Sequence, residues 1–204
     1  MKRNGFTLVE IIVVLAIMAI LGLVLTQIFY STLRGGSKAQ VLSVVKQNGQ
    51  SAVEAMDKTI RSADKVVNLC PSPFGAHGAS VETGLDCTTN CGAIVILKNK
   101  VYTRFLYVPA DSSDTNNGYI VMDTLTSPPE CLNSTFGSNL SVLTDKDSKT
   151  GVSIESGIFS LNRLAGTEDV VTISFSVKPG SGIQSAYPDI SGTTFKTAVK
   201  LRSQ

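Results

Sequence analysis

A single glutamate, Glu10, stands just inside the most apolar stretch of this 204-residue chain. The uninterrupted apolar run covers residues 11–25, and a short basic leader with the sequence Lys-Arg-Asn-Gly precedes it at residues 2–5. A charged carboxylate costs about 2–3 kcal/mol at the middle of a bilayer and less near its edge. Glu10 therefore needs a physical reason to be there.

Catalytic and metal-binding patterns have little support. The sole histidine, His77, lies in a glycine-containing stretch, and no neighbour in the sequence positions it as a base. Residues 114–118 and 145–151 have part of the composition of a calcium loop, but both lack the closing glutamate. We therefore predict an exposed histidine and solvated turns, with no enzyme activity, cofactor or metal site.

Four cysteines follow the apolar segment. An even number in an exported domain favours two disulfides, for which three connectivities are possible. The alternatives are four reduced thiols, as in a cytosolic protein, and a zinc site formed by His77 with Cys70, Cys87 and Cys91. The Cys-x3-Cys spacing supports zinc less than two Cys-x2-Cys pairs would, so we predict disulfides. The candidate residues are Cys70, Cys87, Cys91 and Cys131.

The apolar segment is long enough to cross a bilayer. Residues 6–30 would span about 37 Å as a helix. A secretory signal peptide usually has a shorter apolar core and a small-residue cleavage site, which residues 26–30 do not offer. A plain single-span anchor fits the length equally well but leaves Glu10 unexplained. A buried amphipathic helix is disfavoured, because the segment is apolar all round.

Helical periodicity continues beyond the apolar segment. The pair Gly35 and Gly36 weakens a helix, because each glycine costs about 1 kcal/mol relative to alanine. Apolar or small residues then recur at spacings of three and four, which predicts one buried stripe. We predict a single helix from about Thr7 to Val67, ended by the prolines that follow Cys70. The stripe consists of Leu42, Val45, Gly49, Ala52, Met56, Ile60, Ala63 and Val67.

The remainder of the chain has the patterns of short strands. Two segments flanking Asn99 predict a hairpin, and the C-terminal segment alternates apolar and basic residues. Such strands are the only material available to cover the stripe of the helix, which predicts an antiparallel sheet packed on it. The predicted strands are residues 93–98, 101–108, 119–122, 152–161, 170–178 and 195–201.

The charge balance argues against a nucleic-acid partner. The formal net charge is +2, and removing the leader with Lys2 and Arg3 leaves 16 basic and 16 acidic residues. A near-neutral chain offers no large basic excess to attract nucleic acid or acidic lipid.

The order of basic leader, Gly5, Phe6, a glutamate four residues later and a long apolar helix resembles the N-terminal signal of the type IV pilin and type II secretion pseudopilin superfamily. In that family a prepilin peptidase cuts after the glycine and methylates the new amino terminus. The resemblance implies cleavage between Gly5 and Phe6 and methylation of Phe6. It also implies that Glu10, the fifth mature residue, pairs with the N-terminal amine of a neighbouring subunit and so sets the register of filament assembly.

The resemblance extends, in shorter matches, to the J-type minor pseudopilin and the W-type minor pilins. Residues 47–63 are similar to the helix of those families, and residues 157–161 and 170–175 are similar to one of their strand pairs. The membrane segment has no proline, whereas many major pilins carry one there. These features favour a minor subunit.

The resemblance implies an α+β, pilin-like fold, in which a long N-terminal helix packs on an antiparallel β-sheet. The expected parts are a leader peptide at residues 1–5 and a membrane-spanning, filament-core helix at residues 6–30. The amphipathic half of the helix follows at residues 31–67, and an extracytoplasmic β-rich domain at residues 68–204.

The implied function is that of a structural subunit of a type IV pilus or a type II secretion filament. Its partners would be prepilin peptidase, other pilins or pseudopilins, the inner membrane and the assembly platform. It would cross the cytoplasmic membrane once, with its C-terminal domain outside the cytoplasm. The alternatives are a pilus-tip adhesin or DNA-uptake protein, for which Tyr187 beside Lys196, Lys200 and Arg202 is the candidate patch, and a membrane-anchored secreted enzyme.

Overall fold

The protein consists of one long helix followed by a β-rich domain. The chain divides into two compact units, Met1–Val41 and Leu42–Gln204. The computed structural model describes residues 7–71, 91–110, 117–127, 139–147, 149–163 and 169–201.

Helix α1 runs from Leu8 to Arg61, a length of 54 residues. Its start is set by Thr7, whose side-chain oxygen accepts a hydrogen bond of 3.3 Å from the backbone N–H of Glu10. The Thr7 carbonyl accepts a second bond of 3.1 Å from the same N–H. A threonine three residues before a glutamate is the usual pattern of a capped helix start. Thr7 therefore accepts hydrogen bonds from a backbone N–H of the first turn.

The first unit presents an exposed apolar helix surface. The large apolar side chains from Leu8 to Leu33 are about half exposed or more, with Ile11 at 48%. Two threonines in this stretch turn their hydroxyls back onto the helix: Thr26 donates to the Gly22 carbonyl at 2.8 Å, and Thr32 to the Ile28 carbonyl at 2.9 Å. By length and composition α1 is able to cross a membrane. The hydroxyl groups of Thr26 and Thr32 are hydrogen-bonded within the helix, so they do not require water as a partner.

The second unit contains an antiparallel sheet. The path across it is β5-β4-β3-β2-β6-β7-β8, and β1 also pairs with β2. A short helix, α2, at Ser181–Ala186 separates the last two strands. The strands are β1 (Lys65–Pro71), β2 (Cys91–Lys98), β3 (Val101–Val108), β4 (Tyr119–Leu125), β5 (Ser141–Val142), β6 (Val152–Asn162), β7 (Val170–Pro179) and β8 (Thr193–Lys200).

The predicted hairpin is confirmed. β2 and β3 pair from Ala93 opposite Leu106 to Lys98 opposite Val101. Asn99 and Lys100 occupy the left-handed region, with φ of 49° and 66°. Two such residues are what a tight two-residue hairpin turn requires. The other predicted strands are present too, each within a few residues of its expected bounds.

The helix ends earlier than its periodicity predicts. α1 stops at Arg61 rather than near Val67, and β1 begins at Lys65. The reason is pairing across the sheet: the backbone N–H of Asp64 donates to the Leu97 carbonyl at 2.8 Å. Val67, the last residue of the predicted stripe, is therefore wrong as a buried position: it lies on β1 and is 37% exposed, whereas its neighbour Val66 is buried. The expected helix at residues 31–67 therefore gives way to a strand over its last residues.

The core lies between α1 and one face of the sheet. Most residues of the predicted stripe are buried, whereas Leu42 at its start is half-buried. The buried members on α1 are Val45, Gly49, Ala52, Met56 and Ile60. They pack against the inward-facing residues of the strands in one apolar cluster. An α+β pilin-like arrangement, a long N-terminal helix on an antiparallel sheet, is confirmed.

Gly49 is a point of close approach between the helix and the sheet. A Cβ atom added there would overlap the ring of Phe195 on β8. That ring in turn stacks on Phe175 of β7, with centroids 5.7 Å apart and planes at 23°. The glycine therefore leaves the space that lets the aromatic pair contact the helix.

We expect Gly49→Ala to lower the free energy of unfolding of the domain by about 1–3 kcal/mol, because the added methyl must displace the Phe195 ring. The measurement is chemical denaturation of the full chain in detergent, followed by circular dichroism and by tyrosine fluorescence. The matched control is Gly36→Ala on the same helix, where a Cβ meets nothing within 4 Å. Equal transition midpoints for the two variants would contradict the packing argument.

Candidate functional site

The predicted processing site lies at the very start of the chain. Gly5 and Phe6 are outside the described residues, which begin at Thr7. Because Thr7 caps α1 and Leu8 is its first helical residue, the predicted cut between Gly5 and Phe6 falls before the helix. The sequence alone could have shown this cap through the Thr-x-x-Glu pattern.

Glu10 lies in the first turn of α1, and its side chain is exposed. A negative charge is favourable at a helix N-terminus, by about 0.3–1 kcal/mol at an exposed site. The carboxylate makes no hydrogen bond or ion pair with the described residues, while the backbone N–H of Glu10 is held by Thr7.

Two of the candidate cysteines are described. Cys70 on β1 and Cys91 on β2 are each disulfide-bonded, and both are about fully buried. They lie in different apolar clusters: Cys91 belongs to the main core under α1, whereas Cys70 packs with Ala93 and Val95. Disulfide bonding leaves neither sulfur as a thiolate for zinc. Cys87, Cys131 and His77 are outside the described residues.

The loop after β5 contains the acidic residues that have part of the composition of a calcium loop. The Asp147 carboxylate accepts the backbone N–H groups of Lys149 at 2.7 Å and Thr150 at 2.9 Å. These bonds, the one from Thr150 first, lower the pKa of Asp147 below its usual value. Asp145 likewise accepts the N–H of Asp147 at 3.0 Å. Both carboxylates thus accept backbone donors of their own turn.

This loop is also attached to the helix and the sheet by two asparagines. Asn48 of α1 accepts the N–H of Asp145 at 3.0 Å. The side chain of Asn117, which is buried, donates to the Asp147 carbonyl at 2.8 Å and accepts the N–H of Ser181 at 3.1 Å. The three hydrogen bonds join segments far apart in the chain, and no local pattern predicts them.

A buried ion pair was also missed by the sequence reasoning. Arg104 of β3 and Asp123 of β4 face each other across the ladder. The guanidinium donates twice to the carboxylate, at 3.0 Å and 2.7 Å, and both side chains are 3% exposed or less. A two-bond geometry of this kind compensates part of the cost of burying the charges. Its role is structural, because it holds the register of the two strands.

Tyr107 ties β3 to the irregular part of β6. Its hydroxyl lies 3.1 Å from the Ile154 carbonyl and 3.0 Å from the Glu155 carbonyl, where the register of β6 shifts. Burial first, and the negative charge of Glu155 second, raise the pKa of Tyr107 to about 12. The phenol therefore stays protonated and donates to a carbonyl at neutral pH.

The described residues contain no group of three or more histidine, cysteine or acidic side chains able to hold a metal ion. Lys196 and Lys200 are exposed on β8, as the adhesin alternative requires, while Tyr187 is half-buried after α2. The two lysines alternate with Thr194 and Ala198 on an edge strand, where lysine commonly prevents unwanted pairing. Arg202 is outside the described residues.

We expect non-reducing peptide mapping to place Cys70 and Cys91 in two different bridges, with Cys87 and Cys131 as their partners, because the two buried sulfurs lie in separate clusters. Loss of either bridge should cost about 2–4 kcal/mol of stability. The sample is protein from the native envelope, alkylated before digestion. A peptide joining Cys70 to Cys91, or free thiols at the other two cysteines, would show the assignment to be wrong.

The N-terminal region matches a known family model. The prokaryotic N-terminal methylation motif covers residues 1–26, which include the leader, Glu10 and most of the apolar run. No curated protein and no solved structure matches the chain. The methylation motif, on a long apolar helix packed against an antiparallel sheet, supports the assignment of this chain to the type IV pilin and type II secretion pseudopilin superfamily.

Proposed function

We propose that this protein is a minor pilin or minor pseudopilin, a structural subunit of a type IV pilus or a type II secretion filament. The observation that carries the proposal is the methylation motif at residues 1–26, placed on a helix whose second half packs on the sheet. The absence of proline from the apolar segment supports a minor subunit. Neighbouring pilins or pseudopilins and the assembly platform are its partners.

Processing is the first part of this proposal. Prepilin peptidase cleaves after Gly5 and methylates Phe6, which becomes the mature N-terminus. The support is the motif itself together with the position of the cap, since α1 begins two residues beyond Phe6. The leader peptide of residues 1–5 is then lost.

The second part concerns Glu10. In a bundle of packed apolar helices, its carboxylate pairs with the N-terminal amine of a neighbouring subunit. The support is that the carboxylate has no partner among the described residues of its own chain. A stagger that left both charges unpaired would be strongly unfavourable in an apolar bundle, so the pair selects one register.

The third part concerns location. Residues 6–30 cross the cytoplasmic membrane once, and the β-rich domain lies outside the cytoplasm. The disulfide-bonded state of Cys70 and Cys91 supports an oxidising compartment for the domain. The exposed apolar side chains of α1 are the surface that lipid, or the helices of a filament, would cover.

Processing can be tested by intact-mass analysis after co-expression with a prepilin peptidase. We expect loss of five residues and a methyl group on Phe6, because Gly5 precedes Phe6 at the start of the apolar segment. The control is Gly5→Leu, which should stay uncut and unmethylated although its membrane segment is unchanged. An intact N-terminus in the wild-type protein, or a cut after Tyr30, would overturn the class assignment.

The role of Glu10 can be tested by the fraction of protein recovered in filaments. Glu10→Ala and Glu10→Gln should both reduce incorporation, since an unpaired amine in an apolar bundle costs several kcal/mol before relaxation. Glu10→Asp should be partly defective, because it keeps the charge but loses about one methylene of reach.

The matched control for these variants is Glu54→Ala, which removes an exposed carboxylate from the domain half of the same helix. It should incorporate normally, and all variants should retain cleavage after Gly5 and a folded domain. Equal incorporation of wild type, Glu10→Ala and Glu10→Asp would remove the assembly role and leave a plain membrane anchor.

A further inference from the structure

We propose that α1 carries a built-in opening point at Gly35 and Gly36, where its backbone hydrogen bonds break more readily than those on either side. Gly35 and Gly36 are adjacent helical residues, about two and a half turns before Val45, the first buried stripe residue of the domain. A helix opens locally where neither intrinsic propensity nor packing supports it. Both kinds of support are weak in this stretch.

Packing gives no reason for the two glycines. A Cβ atom at either position would meet nothing within 4 Å, in contrast to Gly49, where it would overlap the Phe195 ring. The glycine at position 49 is required by a close approach, whereas those at positions 35 and 36 are not. Their effect is to lower helix propensity, since glycine is the least favourable residue after proline in a helix interior.

The charges around the glycines add to the effect. Arg34 and Lys38 lie four residues apart on one face of the helix, where like charges repel. No acidic residue stands three or four positions from either of them. The turn that contains the glycines therefore lacks the ion pairs that commonly support an exposed helix.

Ser37 weakens the same turn in a different way. Its hydroxyl donates to the Leu33 carbonyl at 3.1 Å, on the preceding turn. A serine bonded back to this position competes with the backbone donor and tends to bend a helix. Residues 31–37 are all exposed, so no tertiary contact compensates.

The position of Gly35 and Gly36 in the chain indicates the effect of local opening of the helix. The apolar run ends at Leu25, and the second compact unit begins at Leu42. On the proposed function, in which residues 6–30 lie in the bilayer, Gly35 is about 8 Å beyond it along the helix. Opening there separates the stability of the membrane segment from that of the folded domain. An opened residue can also extend from 1.5 Å to about 3.3 Å of rise.

Hydrogen exchange with mass spectrometry, on the full chain in lipid nanodiscs, tests the proposal. We expect the amides of residues 35–40 to exchange about tenfold faster or more than those of residues 45–60. In Gly35→Ala/Gly36→Ala, exchange at these amides should slow about twentyfold, given the difference in helix propensity between glycine and alanine. Uniform protection from residue 30 to residue 60 in the wild-type protein would overturn the proposal.

Two further variants separate the causes. Gly22→Ala, another open position on α1, should leave exchange at residues 35–40 unchanged. Lys38→Glu replaces the repulsion with Arg34 by attraction and should slow exchange there about twofold. If Gly35→Ala/Gly36→Ala left the exchange unchanged, the opening point would be refuted. This experiment needs no peptidase or filament, so its failure would leave the proposed function untouched.

Discussion

The structure depends on the burial of one helix face against one sheet face. The sheet has an inner surface of Val, Ile and Phe side chains from β2, β3, β6, β7 and β8, and α1 is the element that covers it. Each buried apolar side chain contributes about 1.5–3 kcal/mol relative to exposure, so the stripe of α1 supplies a large part of the stability of the domain. The Phe195 ring lies so close to Gly49 that a Cβ atom there would overlap it.

The same helix must also satisfy a second environment. Its first half is apolar on every side and has no inner face of its own, so it is stable only where lipid or other helices surround it. Its second half is apolar on one stripe alone. The helix thus has two compositions, apolar on every side in its first half and apolar on one stripe in its second half. The change falls between Leu33, the last exposed apolar residue of the first half, and Leu42, where the second unit begins. The glycines at positions 35 and 36 lie in that interval.

Much of this arrangement follows from local patterns. The helix, its buried stripe, the hairpin at Asn99 and most strands were predicted, because periods of 3.6 and 2 are visible in single segments. The end of α1 was not, because Ala63 and Val67 continue the helical spacing, while the competing partner of Asp64 is Leu97, far along the chain. A local pattern cannot show whether a segment that is compatible with both a helix and a strand will pair with a strand far along the chain.

The same limit applies to the polar contacts. Arg104 and Asp123 pair only because β3 and β4 adopt one register, and a shift of one residue would put them on opposite faces. Asn117 reaches Asp147 and Ser181 through the sheet topology. By contrast, the Thr7 cap, the Asp147 turn and the motif around Glu10 are local, and the sequence is sufficient to find them. The candidate site could therefore be located from sequence better than the contacts that stabilise the domain.

The acidic side chains show why Glu10 stands apart. Asp123 is buried, and Arg104 neutralises it. Asp147 is exposed, and the backbone donors of its own turn hold it as an anion. In both cases the negative charge is stabilised by groups of the same chain, and no other molecule is required. Glu10 lies on an apolar surface with no such partner among the described residues, although the same turn already uses Thr7 to cap its backbone. Within a bundle of such helices, a carboxylate without a partner is unfavourable by itself, and the cation that removes the penalty must come from another molecule. The N-terminal amine that cleavage after Gly5 would create on a neighbouring copy or relative has the required charge. In the proposed function, processing would therefore supply the charge that assembly requires.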